Sequence, residues 1–218
     1  MIVKSLFYSA MGVALALPLS SCHGIFEGIY DEPVIENNTG YGFIKIDEVN
    51  RTGTIYVNAS EYTEWHYVDL KAKTVTTKQY DEPAPENWDF AIHRYDTKTN
   101  GGKVCETVYE DLSLLPALSQ LPKDNWVSDT WTTNKITIDM SQMMQGTILY
   151  AEDYYNPCLS LWLNVDTSSM PPSYTLSGKV YVLKLSDGTH AALRLENFMN
   201  DSAVKGYMTV NYIYPIAQ

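Results

Sequence analysis

The sequence predicts an all-β fold, mostly antiparallel sheets with a few short helices, and three observations carry that prediction. Short runs rich in β-branched and aromatic side chains recur along the chain, each bounded by glycine or polar punctuation. Asp187 and Gly188 stand between two such runs, the signature of a tight hairpin. Both stretches with helical character are interrupted by proline, at Pro116 and at Pro157. No repeat of fixed period and no low-complexity block appears, which removes solenoids and propellers.

The chain opens with Lys4 ahead of an apolar stretch to Leu17, closing on Leu19, Ser20, Ser21 and Cys22. A charged start, a short hydrophobic core and small residues before a cysteine describe a bacterial export signal ending in a lipobox. The apolar run is too short to span a bilayer. The expectation is a signal peptide over 1–21, lipidation at Cys22, and a mature protein anchored by acyl chains, against the alternative of an ordinary leader with Cys22 incidental. Residues 22–41 carry Gly28, Asp31, Glu32, Pro33, Asn37, Asn38 and Gly40 with little periodicity and read as a flexible tether. A single domain is expected over 42–218.

Within that domain, Thr54 to Asn58, Glu64 to Lys71, Thr74 to Lys78 and Trp88 to Tyr95 are strand candidates. Asn100 with Gly101 marks a turn. Val180 to Leu185 and His190 to Leu195 flank the Asp187-Gly188 hairpin. From Gly206 to Tyr214, Met208, Val210, Tyr212 and Tyr214 share one face while Tyr207, Thr209, Asn211 and Ile213 take the other, and Pro215 stops the ladder. Both faces should be at least partly covered. Helix is expected over Glu110 to Leu121, broken at Pro116, and over Ser141 to Leu163, broken at Pro157.

Hydrophobic residues make up 45% of the chain and aromatic residues 12%, enough for a core without staples. The formal charge of -11, one unit more negative once Lys4 leaves with the leader, argues against nucleic acid and against a broad anionic membrane surface. Cys105 and Cys158 remain as a pair in a compartment that permits oxidation. Closing a loop of about 50 residues would contribute ~4 kcal/mol as a disulfide, and two thiols buried as small hydrophobes is the competing reading.

Catalytic signatures are missing: no Gly-x-Ser-x-Gly elbow, no phosphate-cradling glycine loop, no His-Glu-x-x-His and no Cys-x-x-Cys. Ser202 to Lys205 spells Ser-x-x-Lys by chance, without its companion elements. His66, His93 and His190 lack ligand spacing and read as structural. Asp89, Asp96, Glu152 and Asp153 read as solvated faces or turn caps. An enzyme is not expected.

Methionine stands out. Met140, Met143 and Met144 cluster within five residues, and Met170 follows Thr167, Ser168 and Ser169 and precedes Pro171 and Pro172. Thioethers are soft, neutral ligands suited to copper(I) and haem iron, and they can be buried without desolvating a charge. Two prolines after Met170 would present it with little entropy left to lose. Core packing is the competing reading for Met143 and Met144, because methionine fills irregular interiors. Met140 ends the alternating run Ile136, Ile138, Met140 and should face inward.

Several separated blocks in order resemble the HmuY-like haem-binding lipoproteins exported by Bacteroidetes: Asn87 to Arg94 (NWDFAIHR), Thr99 to Gly102 (TNGG), Ile138 to Gly146 (IDMSQMMQG), Met170 to Tyr174 (MPPSY), and Gly206-Tyr207 with the terminal Tyr212 to Pro215. The resemblance spans nearly the whole mature chain. It implies an all-β haemophore that holds one haem, haem b (iron protoporphyrin IX), between finger-like loops at one end of the sheets. The best known member uses two histidines, whereas relatives more like this chain use two methionines. With no histidine between His93 and His190, the matching positions are Met143 and Met170, with Met144 as backup for Met143. The implied role is haem and iron acquisition from the outer membrane, lipid-anchored at the cell surface or released. The implied partners are a TonB-dependent outer-membrane haem receptor and host haemoproteins. His93 carries no ligand role in the family.

A different class remains open on the residues alone. The 17 tyrosines and 5 tryptophans also suit a surface lipoprotein that binds glycan or protein through exposed aromatics. Tyr150, Tyr154, Tyr155 and Trp162 lie close to the methionine cluster and serve either reading, or the core.

Overall fold

The computed structural model describes residues 35–36, 40–121, 124–168 and 171–217. The expected leader 1–21, Cys22 and the tether as far as residue 34 lie outside them. A central sheet runs in the order β1 (Ile35–Glu36), β2 (Gly42–Asp47), β3 (Thr52–Asn58), β16 (Lys205–Ile213), β15 (His190–Met199), β14 (Tyr181–Lys184), β8 (Lys103–Glu106), β9 (Val127–Ser128). A second sheet runs β5 (Thr74–Gln79), β4 (Glu64–Asp69), β6 (Phe90–His93), β7 (Asp96–Thr99). Two hairpins stand outside both, β10 (Thr130–Asp139) with β11 (Leu149–Tyr155), and β12 (Leu163–Asp166) with β13 (Ser173–Leu176). The ladders joining these strands are antiparallel. The fold is all-β.

Side-chain alternation explains the layering. Ile55, Val57, Leu183, Leu193, Met208 and Val210 of the central sheet meet Val68, Phe90 and Ile92 of the second sheet in the main core. Trp65, Tyr67 and Ala91 point the other way and are covered by Ile136 and Ala151 of the β10–β11 hairpin. On the outer side of the central sheet, Val180, Val182 and Ala192 are covered by the segment carrying Tyr109, Leu112, Leu115, Leu118, Leu121 and Trp126. Each large apolar side chain taken out of water in this way contributes about 1.5–3 kcal/mol.

The hairpin expected at Asp187-Gly188 is β14 turning into β15, with Lys184 opposite His190. Gly188 takes φ +86°, a backbone position that disfavours any side chain, and Asp187 Oδ1 accepts from Thr189 N at 2.8 Å. The last strand shows the expected alternation, with Met208, Val210 and Tyr212 buried and Tyr207, Thr209, Asn211 and Ile213 half-covered. The strand expected over Trp88 to Tyr95 is shorter, Phe90–His93, because Arg94 turns the chain at φ +52°. β1 lies inside the segment read as a tether, with Ile35 opposite Ile46.

Both expected helices are replaced. Over Ser141 to Leu163 there is a 3-10 turn at Met143–Gln145, then β11, then a second 3-10 turn at Leu159–Trp162. Gly146 at φ +82° ends the first turn, and β11 alternates buried Ala151 against exposed Tyr150, Glu152 and Tyr154, a strand period that β10 satisfies through the backbone. Over Glu110 to Leu121 there are two 3-10 turns, Leu112–Leu114 and Leu118–Gln120, separated by Pro116. Asp111 caps the first by accepting from Ser113 N at 2.8 Å.

Candidate ligand-binding site

The methionine cluster occupies the tip of the β10–β11 hairpin. Ile136 and Ile138 anchor β10 against the second sheet, and the chain then leaves the ladder at Asp139. Asp139 Oδ1 accepts from Ser141 N at 2.7 Å, and Ser141 holds that carboxyl below the usual range. Met143 N donates to Met140 O at 3.0 Å and Gly146 N to Met143 O at 2.9 Å, so a single turn presents two adjacent thioethers. Met144 is 86% exposed, and Met140 and Met143 are half-buried. Among the described residues neither Met143 nor Met144 belongs to a hydrophobic cluster, which speaks against core packing for this pair. The cleft beside them is small, about 70 Å³, lined by Asp139, Gln142, Thr147 and Leu149.

Met170 lies outside the described residues. The strands that bracket it are paired from Leu163 opposite Leu176 to Asp166 opposite Ser173. Trp162 at the entry of this second hairpin is fully buried and donates from Nε1 to Tyr95 O at 2.9 Å. Tyr174 stacks on Phe198 with ring centroids 5.7 Å apart, and Lys205 Nζ lies 4.3 Å from the Tyr174 ring centroid.

Both hairpins spring from one fixed corner. Asn156 is fully buried between them; its backbone N donates to Thr97 O at 2.6 Å and its Nδ2 to Asp129 Oδ1 at 2.8 Å. Its Oδ1 accepts from Cys158 N at 3.1 Å and Leu159 N at 2.9 Å. Asp129 in turn accepts from Thr99 N at 2.7 Å and Thr99 Oγ1 at 3.0 Å. Nearby, Lys98 Nζ is 2.7 Å from Asp153 Oδ2 and 4.1 Å from the Trp65 ring centroid. Asp153 therefore binds an ammonium and is no solvated face, contrary to the sequence-based expectation. The only cue in the sequence for this corner was the Asn156-Pro157 turn signal.

The remaining candidates are structural. His93 is fully buried, and its Nε2 lies 2.7 Å from Tyr62 O; burial lowers its pKa to about 4. His66 Nδ1 pairs with Thr77 Oγ1 at 3.0 Å, and burial lowers its pKa to about 4 as well. Asp89 Oδ2 accepts from Leu70 N at 2.7 Å, Asn100 N donates to Asp89 O at 3.0 Å, and Asn100 Nδ2 donates to Trp88 O at 3.0 Å. The Trp88-Asp89 and Asn100 blocks are thus a knot that fixes the ends of β6 and β7. Cys105 and Cys158 are free thiols, and burial pushes Cys158 up to about 11. Among the described residues no group of three His, Cys, Asp or Glu side chains could hold a metal ion.

Larger cavities stand away from the tip. A groove of about 630 Å³ is lined by residues of β2, β3, β15 and β16, among them Lys45, Thr54, Arg194 and Asn211. A cleft of about 400 Å³ adjoins the base of the β10–β11 hairpin.

The comparisons with known proteins converge. The HmuY protein family matches residues 61–212, which takes in both hairpins. A crystal structure of a Bacteroides fragilis protein designated a lipoprotein is 48% identical, covers 84% of this chain and 100% of its own, and superposes with a TM-score of 0.79. A Bacteroides vulgatus protein designated HmuY-like and heme binding is 51% identical, covers 82% of this chain and 100% of its own, with a TM-score of 0.77. The apo HmuY analog of Tannerella forsythia, at 24% identity, covers 74% of this chain and 94% of its own with a TM-score of 0.63, a likeness of fold. No curated protein matches.

Proposed function

The chain belongs to the HmuY family, and from that membership we propose that it is a haem-binding, non-enzymatic haemophore. Its cargo is iron protoporphyrin IX, haem b, captured by two axial thioethers, Met143 on the first hairpin and Met170 between the strands of the second, with Met144 as backup for Met143. The observation that carries the reading is the Met143-Met144 turn, two adjacent thioethers outside every core cluster on a chain of this family. Met170 enters on sequence, as the residue before Pro171-Pro172.

The chain's own residues perform capture rather than reaction. The buried Asn156 corner holds the two hairpin bases so that little conformational entropy is lost when the tips engage a ligand. The thioethers are neutral at every pH, so enclosing them costs no ion desolvation. Haem supplies an iron with two open axial positions, and a soft neutral ligand pair favours its ferrous state.

The lipobox at Cys22 and the negative charge fit a lipid-held protein at the outer membrane that passes haem to a TonB-dependent receptor and draws it from host haemoproteins. A haemin titration of the purified protein, followed by absorption, tests the capture step. A saturable Soret shift with one haem per chain, weakened about tenfold or more in Met143→Ala with Met144→Ala near wild type, is expected. Loss in Met144→Ala alone would move the first ligand by one residue, and no shift in any form would overturn haem capture.

A further inference from the structure

The cleft at the base of the β10–β11 hairpin has the chemistry of a binding site with no part in the methionine tip. Trp131 and Tyr154 sit opposite each other across the hairpin, their ring centroids 5.1 Å apart and edge-on, and they remain 54% and 52% exposed. Two adjacent aromatic rings left half in water on a surface otherwise rich in polar groups are a platform without a load. Tyr154 forms one wall of the 400 Å³ cleft and the half-buried Trp88 another.

Between those rings the polar groups are fixed in place and retain hydrogen-bonding capacity. Asp153 Oδ2 takes Lys98 at 2.7 Å and its Oδ1 takes Tyr154 N at 2.7 Å, which uses two of about four acceptor positions. Asp129 uses three, with Thr99 and Asn156. Lys98 spends one of three N–H donors on Asp153 and turns its remaining sides to the ring faces of Trp65 and Tyr67. Ser128 Oγ and Asn100 Oδ1 have no protein partner among the described residues. The cleft therefore offers oriented acceptors and the Ser128 hydroxyl beside aromatic walls.

Charge narrows the ligand. An anion would face both Asp129 and Asp153, and a cation would face Lys98, whose own charge Asp153 already answers. A neutral, multiply hydroxylated ring meets neither penalty: its C–H face lies on an aromatic ring and its hydroxyls take both donors and acceptors. We propose that this cleft is a second binding site of the chain, for a neutral saccharide seated against Tyr154, with Trp131 extending the platform beyond the cleft. The distance from Trp131 to the tip, eight residues along β10, is roughly 25 Å at the rise of a strand. A sugar and a ligand at the tip are thus bound without contact, and the site stands whether or not the tip holds haem.

The test is saturation-transfer NMR and calorimetry on the purified full chain with the methyl glycosides of glucose, galactose, mannose and N-acetylglucosamine. At least one glycoside is expected to bind, with affinity falling about tenfold in Tyr154→Ala and a few-fold in Trp131→Ala. Both variants change exposed side chains, so an unchanged melting temperature and haemin titration show that the loss is local. Ser128→Ala gives an independent reading, because it removes an exposed hydroxyl of the cleft and leaves the platform intact. No binding by any of the four sugars, or binding that survives both Tyr154→Ala and Ser128→Ala, would overturn the proposal.

Discussion

His66 and His93 lie on neighbouring strands of the second sheet, both buried, and both are held neutral because the interior penalises the imidazolium. Each titrates near 4 in the fold and near 6.5 once unfolded. The unfolded chain therefore takes up two protons below about pH 6.5 that the folded chain refuses, and acidification across that window destabilises, on the order of 2–3 kcal/mol per histidine. Asp96 acts in the opposite direction: burial raises it to about 7 against the pull of Lys135, so the folded carboxyl gains its proton before the unfolded one. Asp89 and Asp129, also raised by burial, act with Asp96, whereas His190 and carboxylates held low by hydrogen bonds, Asp47, Asp111, Asp139, Asp166 and Asp187 among them, act with the two histidines and leave a net loss. The melting temperature should fall between pH 7 and pH 4.5, and His93→Gln should flatten that fall while lowering stability at pH 7. An equally steep fall in the variant would remove His93 from the account. The structural role of both histidines was legible in the sequence; their shifted titration was not, because a lone histidine on a strand shows neither its burial nor the carboxylate that opposes it.

At the scale of elements, legibility followed periodicity. The hairpin around Asp187-Gly188 and the last strand carry long, clean alternation, and both stand where the sequence placed them. Asp96–Thr99, Leu163–Asp166 and Ser173–Leu176 are four residues each, too short for a period of two to declare itself, and they form because their neighbours offer open ladders. The false helix over Glu110 to Leu121 has a specific cause. Leu112, Leu115, Leu118 and Leu121 recur every three residues, a 3-10 spacing that imitates one helical face over a short window, and they cover the central sheet. The methionine turn was visible as composition, whereas its exposure was not. Gly146 closes that turn at φ +82° with open space where a side chain would sit. Gly146→Val should reshape the tip through backbone strain of about 1–2 kcal/mol. Haem affinity measured by titration should drop about tenfold, with the melting temperature lowered by only a few degrees. Unaltered affinity would mean that the turn geometry does not position the thioether.

For the whole molecule, the arrangement separates stability from recognition. The core lies between the two sheets, a second apolar layer ties the β10–β11 hairpin to them, and among the described residues the groups proposed for ligands lie beyond that layer, at the tip and at the base of that hairpin. Substitutions at Met143 or Tyr154 should therefore change binding and leave folding intact, which makes functional variants interpretable. The fold class and the family could be recognised from the sequence because separated blocks such as Asn87 to Arg94 and Thr99 to Gly102 are the knots that close strands. The Lys98, Asp129 and Asp153 arrangement could not, because its members come from three segments that meet only after folding. The proposed capture of haem by two thioethers is tested by the affinity of the purified protein for ferric and for ferrous haem, with Met170→Ala alongside. Ferrous haem should bind more tightly than ferric haem, and Met170→Ala should lose at least about tenfold of the ferrous affinity. Equal affinity for the two oxidation states, or ferrous binding unchanged in Met170→Ala, would contradict the account.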